Sequence, residues 1–124
     1  MTKRILRWLP VAIMMVLIFI ASSTPGNELP TFGNIDLFVK KGGHLIGYAL
    51  LAMACFMAVY NDTKSVTRSA VISLGLSIVY AALDEYHQSF RPDRHPSIID
   101  VGIDAAGAII GVCIAAFITK VRSG

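Results

Sequence analysis

Residues 42–61 read GGHLIGYALLAMACFMAVYN, twenty residues without a single Asp, Glu, Lys or Arg. As a helix this stretch rises about 30 Å, the thickness of the hydrocarbon core of a bilayer. Outward from it the pattern recurs. An apolar run at 8–21 follows Lys3, Arg4 and Arg7 and stops at Ser22-Ser23-Thr24-Pro25-Gly26, where neither Pro25 nor Gly26 supports a helix. Residues 69–83 and 105–119 are uncharged for fifteen residues each, and the last run ends at Lys120 and Arg122. Fifteen residues rise only about 22 Å, so these two helices must run on past their charged residues. The expected helices are about 7–24, 41–61, 69–88 and 100–119. The short link after residue 61 makes its neighbours antiparallel. The expected fold is all-α, an integral membrane four-helix up-down-up-down bundle, with 1–124 as a single domain.

The first run also fits a secretory signal peptide, with its basic start and small residues near Ser23. A first helix is preferred, because the other three need a partner and the next polar segment is short for a mature domain. Hydrophobic residues make up 55% of the chain and charged residues 15%, against about 25% charged in a soluble domain. No basic stripe is interleaved with aromatics, which argues against nucleic acid. Cys55 and Cys113 sit within apolar runs and are expected to be buried small side chains, with no disulfide and no metal spacing. With the N-terminus inside, Lys3, Arg4, Arg7, Lys64, Arg68, Lys120 and Arg122 fall on the inner side, and Lys40, Lys41, Arg91 and Arg94 on the outer. The positive-inside rule then places both termini in the cytoplasm.

Extending the helices past their charges places Asp84, Glu85 and Asp104 within the outer quarter of the membrane, with His44 in the first turn of the second helix. Carboxylates there are costly unless paired or wet. Helical spacing groups them into faces. Asp100, Asp104, Gly107 and Gly111 share one face of the fourth helix, and the glycine pair lets another helix, or another copy of the chain, approach closely. Asp100, near the helix start, also fits a cap. Ser73, Ser77, Tyr80, Asp84 and Gln88 share one face of the third helix, beside Glu85. The serines are expected to be packing residues. Lys41, His44 and Tyr48 share one face of the second. Arg91 and Arg94 lie between the third and fourth helices and suit a phosphate or carboxylate, or pair with the local aspartates.

The chain resembles the VanZ-like family of small bacterial membrane proteins, named for a member associated with low-level resistance to the glycopeptide teicoplanin. The resemblance rests on three blocks: Ser22-Ser23-Thr24-Pro25-Gly26; Lys40-Lys41-Gly42-Gly43-His44 with Tyr48 and Leu51; and Asp84-Glu85-Tyr86-His87-Gln88-Ser89-Phe90 with Arg91-Pro92-Asp93-Arg94, Asp100, Asp104, Gly107 and Gly111. The third block is the specific one. Asp93 departs from the glycine common after the proline, which bears on the turn before Arg94. The resemblance implies a multipass protein of the bacterial cytoplasmic membrane, linked to the cell envelope and to antibiotic resistance. It supplies no reaction.

Three uses remain. In the first, Lys41, His44, Tyr48, Asp84, Glu85, Gln88, Arg91, Arg94, Asp100 and Asp104 bind an anionic lipid, a lipid-linked envelope precursor or a lipidated ligand. In the second, Asp84, Glu85, His44 and Asp104 serve an intramembrane hydrolase or transferase acting on a phospholipid or lipid-linked substrate. No cofactor is expected, except that a carboxylate-held divalent cation would suit the second use. His87 and His95 match no strong metal pattern. In the third, the polar residues fix helix register without a ligand. Binding is preferred over catalysis, because no catalytic motif is complete. Transport is the weakest fit, since the polar residues cluster at one end.

Overall fold

The computed structural model describes residues 2–23, 36–90 and 98–123. They form four helices: α1 (Thr2–Ser23), α2 (Asp36–Thr63), α3 (Val66–Gln88) and α4 (Ile98–Ser123), each long and apolar enough to cross a membrane. Their directions alternate. Arg4 and Arg7 at the start of α1 meet Asp62 at the end of α2, at 3.3 and 3.6 Å. Lys41 of α2 meets Asp100 in the first turn of α4, and Tyr48 of α2 meets Asp84 near the end of α3. The bundle is therefore up-down-up-down. Among the described residues α2 touches all three other helices, whereas α1 touches α2 and α3 only.

Burial on α3 runs opposite to that of a soluble helix. Ser69, Ser73, Ser77, Ala81, Asp84 and Gln88 are buried, while Val71, Leu76, Val79 and Leu83 are exposed, Val71 by 66%. Water would penalise so many large apolar side chains on one surface; hydrocarbon would not. Two of the inward serines, Ser69 and Ser73, do what packing residues do. Ser73 donates to the Ser69 carbonyl at 2.6 Å, and the hydroxyls of Ser69 and Thr63 share a hydrogen bond at 2.8 Å. Small side chains let the helices close up, and a hydroxyl satisfied by its own helix costs little in lipid.

The helices outrun the uncharged stretches. α1 begins at Thr2 and carries Pro10 within it, α2 begins at Asp36, and α4 ends at Ser123. Charged residues at a membrane surface need not break a helix, because long basic side chains reach for water. A proline is tolerated within a spanning helix when its surroundings satisfy the freed carbonyl. The longer α2 puts His44 in its third turn, not its first. Asp100 likewise lies inside α4, where its charge suits the positive end of the helix dipole.

The turn between α2 and α3 is short. The Lys64 N–H donates to the Tyr60 carbonyl at 2.9 Å, and Lys64 adopts a left-handed φ of 55°. Ser65 then caps α3, its hydroxyl accepting from the Arg68 N–H at 3.2 Å. A side chain in the left-handed region costs about 1–2 kcal/mol that glycine avoids. Lys64→Gly should therefore stabilise the chain by about 1 kcal/mol, read as a higher unfolding midpoint in detergent. An unchanged or lower midpoint would mean that Lys64 is not strained.

α2 and α4 run parallel and close together. Cβ atoms added at Gly107 and Gly111 would run into the Leu45 and Ala49 carbonyl groups, coming within 3.0 Å of the Leu45 carbonyl carbon and 2.8 Å of that of Ala49. The glycine face is therefore packed against α2 of the same chain. Below it, Phe56 and Ala52 pack on Ala108, Val112 and Ala115. Cys55 is buried as expected, but Cys113 is exposed on the outer face of α4. An unbroken apolar run gives no sign of which side of a helix faces its neighbours.

Candidate functional site

Three helices deliver polar side chains to one end of the bundle. On α2, the helical spacing of Lys41, His44 and Tyr48 turns all three toward α4 and α3. On α4, Asp100 and Asp104 lie one turn apart. The glycine contact holds the two helices in parallel register, so partners advance together. Lys41 Nζ lies 2.6 Å from Asp100 Oδ1, and His44 Nδ1 lies 3.4 Å from Asp104 Oδ1. From α3, Asp84 reaches the same centre, and its Oδ2 accepts from the Tyr48 hydroxyl at 3.4 Å. Asp84, Glu85 and Gln88 are all buried, and Tyr48 and Asp104 have no exposed surface.

The centre is short of donors. Asp104 is wholly buried, yet neither carboxylate oxygen has a hydrogen-bond partner among the described residues, and Gln88 Nε2 is in the same position. One ligand atom from each of His44, Asp84 and Asp104 falls within 4.8 Å of the others. With Lys41 beside Asp100, the carboxylates of Asp84 and Asp104 share the centre with a single imidazole, and the buried Glu85 follows Asp84 on α3. Among the described residues the site is acidic. Arg91, Arg94 and His95 lie outside the described residues, as do the side chains of Lys40, Ser22 and Ser23. His87 of α3 meets Phe19 of α1, their rings tilted by 31° with centroids 5.0 Å apart.

A second feature adjoins the first. A partly open apolar groove of about 280 Å³ runs between α1, α2 and α3, with Trp8, Leu51, Leu76, Tyr80 and Leu83 among its walls. Tyr80 joins the two. Its ring lies 6.3 Å from that of Tyr48, and its hydroxyl donates to the Met15 carbonyl of α1 at 2.6 Å. The groove left no mark in the sequence, because apolar residues that line a groove look like those that face lipid.

Four spanning helices, apolar outside and polar at one buried end, define a multipass membrane protein. A family model described as VanZ/LLP1 matches residues 7–119, and the chain belongs to that family. No curated protein and no solved structure matches the chain.

Proposed function

We propose that this protein binds a lipid-borne molecule of the bacterial cytoplasmic membrane, an anionic lipid, a lipid-linked envelope precursor or a lipidated ligand. The carrying observation is an apolar groove whose wall residue Tyr80 has its ring 6.3 Å from that of Tyr48 in the polar centre. A chain in the groove would bring its head group beside His44, Asp84 and Asp104. Arg91 and Arg94, which lie in sequence between Gln88 and Asp100, are the guanidinium groups for a phosphate or carboxylate. The bias of Lys and Arg supports a topology with both termini in the cytoplasm, and reporter fusions at the C-terminus would read this directly. One observation also favours the hydrolase or transferase reading. His44 faces a buried carboxylate, an arrangement that orients an imidazole as a base.

Mass spectrometry of lipids that co-purify in native-lipid particles tests the binding reading. Wild type should carry one enriched lipid species. Arg94→Ala should lose it through the head group, and Leu76→Trp should lose it by filling the groove. The same bulk lipids in all three proteins would sink the reading and leave the polar residues as fixers of helix register. Turnover of the retained lipid by wild type, lost in His44→Gln, would favour the enzyme.

A further inference from the structure

We propose that His44, Asp84 and Asp104 form a binding site for one divalent transition-metal ion, zinc or manganese in kind. The three side chains come from α2, α3 and α4, and one ligand atom of each lies within 4.8 Å of the others. His44 Nδ1 and Asp104 Oδ1 are 3.4 Å apart. Two ligands of a tetrahedral ion with bonds of about 2.1 Å are separated by about that distance. Bringing Asp84 from within 4.8 Å to the same 3.4 Å spacing takes a side-chain adjustment of up to about 1.4 Å.

A second, independent observation points to a ligand. Asp104 is wholly buried, faces the imidazole, and has no hydrogen-bond partner for either oxygen among the described residues. Buried carboxylates normally have such partners, and each exception calls for a cause. A bound cation supplies one. Charge agrees: two carboxylates and a neutral imidazole balance a divalent ion, whereas without it the acidic groups repel one another in a low-dielectric site. The donor set chooses among ions. Imidazole with carboxylate suits zinc or manganese, while magnesium and calcium favour oxygen alone.

The surroundings fit a metal site. The Tyr48 hydroxyl donates to Asp84 Oδ2, as an outer partner that orients a ligating carboxylate does. Close packing of Gly107 and Gly111 against α2 fixes His44 relative to Asp104. Three protein ligands leave one position open, where an oxygen of a head group would reconcile an acidic centre with an anionic ligand. This last step rests on the lipid reading, but the metal site itself does not.

The test uses the full chain in native-lipid particles, stripped with chelator and then titrated with Zn²⁺. Bound metal is counted by elemental mass spectrometry, and Co²⁺ substitution reports geometry by its visible spectrum. Wild type should bind about one ion per chain, with Co²⁺ giving a low-symmetry site spectrum. Tyr48→Phe should weaken Zn²⁺ about 10-fold or more, the size expected of an outer partner. Asp104→Asn and Asp84→Asn should weaken it further still. Asp62→Asn, at the far end of the bundle, should bind as wild type does. Wild type that is helical yet binds no Zn²⁺, or binding that all variants share equally, would overturn the proposal. The Co²⁺ measurement on wild type needs no variant to fold. Metal without an enriched lipid would sink the lipid reading alone, and an enriched lipid without metal would sink the metal site alone.

Discussion

Gly111→Ala and Gly107→Ala should each destabilise the bundle by about 3 kcal/mol or more, the upper end of what overpacking costs. The added methyl would meet the backbone carbonyl of Ala49 or Leu45, not a flexible side chain. No rotamer change relieves such a clash, so α4 must move away from α2. That movement would also part His44 from Asp104 and Lys41 from Asp100, which lie on the same two helices. Gly75→Ala is the comparison. Nothing lies within 4 Å of a Cβ added there, and alanine in mid-helix is worth roughly 0.5–1 kcal/mol over glycine. It should be neutral or stabilising. Thermal unfolding in detergent reads all three variants. Equal midpoints for Gly75→Ala and Gly111→Ala would mean that α2 and α4 are not in backbone contact.

The second large effect is a reversal of rank. Stripped of metal, Asp104→Asn should unfold at a higher temperature than wild type, because it removes a buried carboxylate that lacks donors. Asp104 shares its buried site with the Asp84 carboxylate and a single imidazole, so removing its charge relieves a desolvation cost and a like-charge repulsion. With Zn²⁺ present the order should invert. Wild type gains stability from an ion that binds only its folded state, by about 2.7 kcal/mol at a hundredfold excess over Kd, and the variant gains little. Asn keeps the shape of Asp, so the contrast isolates charge. An Asp104→Asn protein less stable than wild type in both conditions would mean that the carboxylate already has a partner that holds it. In that case its role is to fix the bundle, and loss of function in the variant would follow from loss of folded protein.

The polar end of this bundle gathers buried carboxylates at a cost in stability. Most of its members could be read from spacing. Helical periodicity put Lys41, His44 and Tyr48 on one face, Asp84 and Gln88 on another, and Asp100, Asp104, Gly107 and Gly111 on a third. The alternation of helix direction then brought those faces to the same end. Their pairing could not be read. That Lys41 stands beside Asp100 is set by the tertiary structure alone. His44 and Asp104 looked like two separate polar residues until the parallel register of α2 and α4 set them 3.4 Å apart.

The amino-acid sequence by itself determined that four apolar segments cross a membrane, because uncharged runs of fifteen to twenty residues, extended past their flanking charges, reach the length of a bilayer core. It determined which residues share a helix face, because the period of an α-helix is fixed. Only the tertiary structure decided how each helix is rotated about its own axis and which neighbour it touches. Glycine at positions 107 and 111 permits a close approach but does not name the partner, and the packed bundle supplies it in Leu45 and Ala49 of α2. The same packing turned Cys113 outward, sent His87 to Phe19, opened the groove beside Tyr80, and closed three side chains from three helices around one point. Those outcomes depend on the shapes of surfaces meeting in space, which a pattern along one helix does not contain.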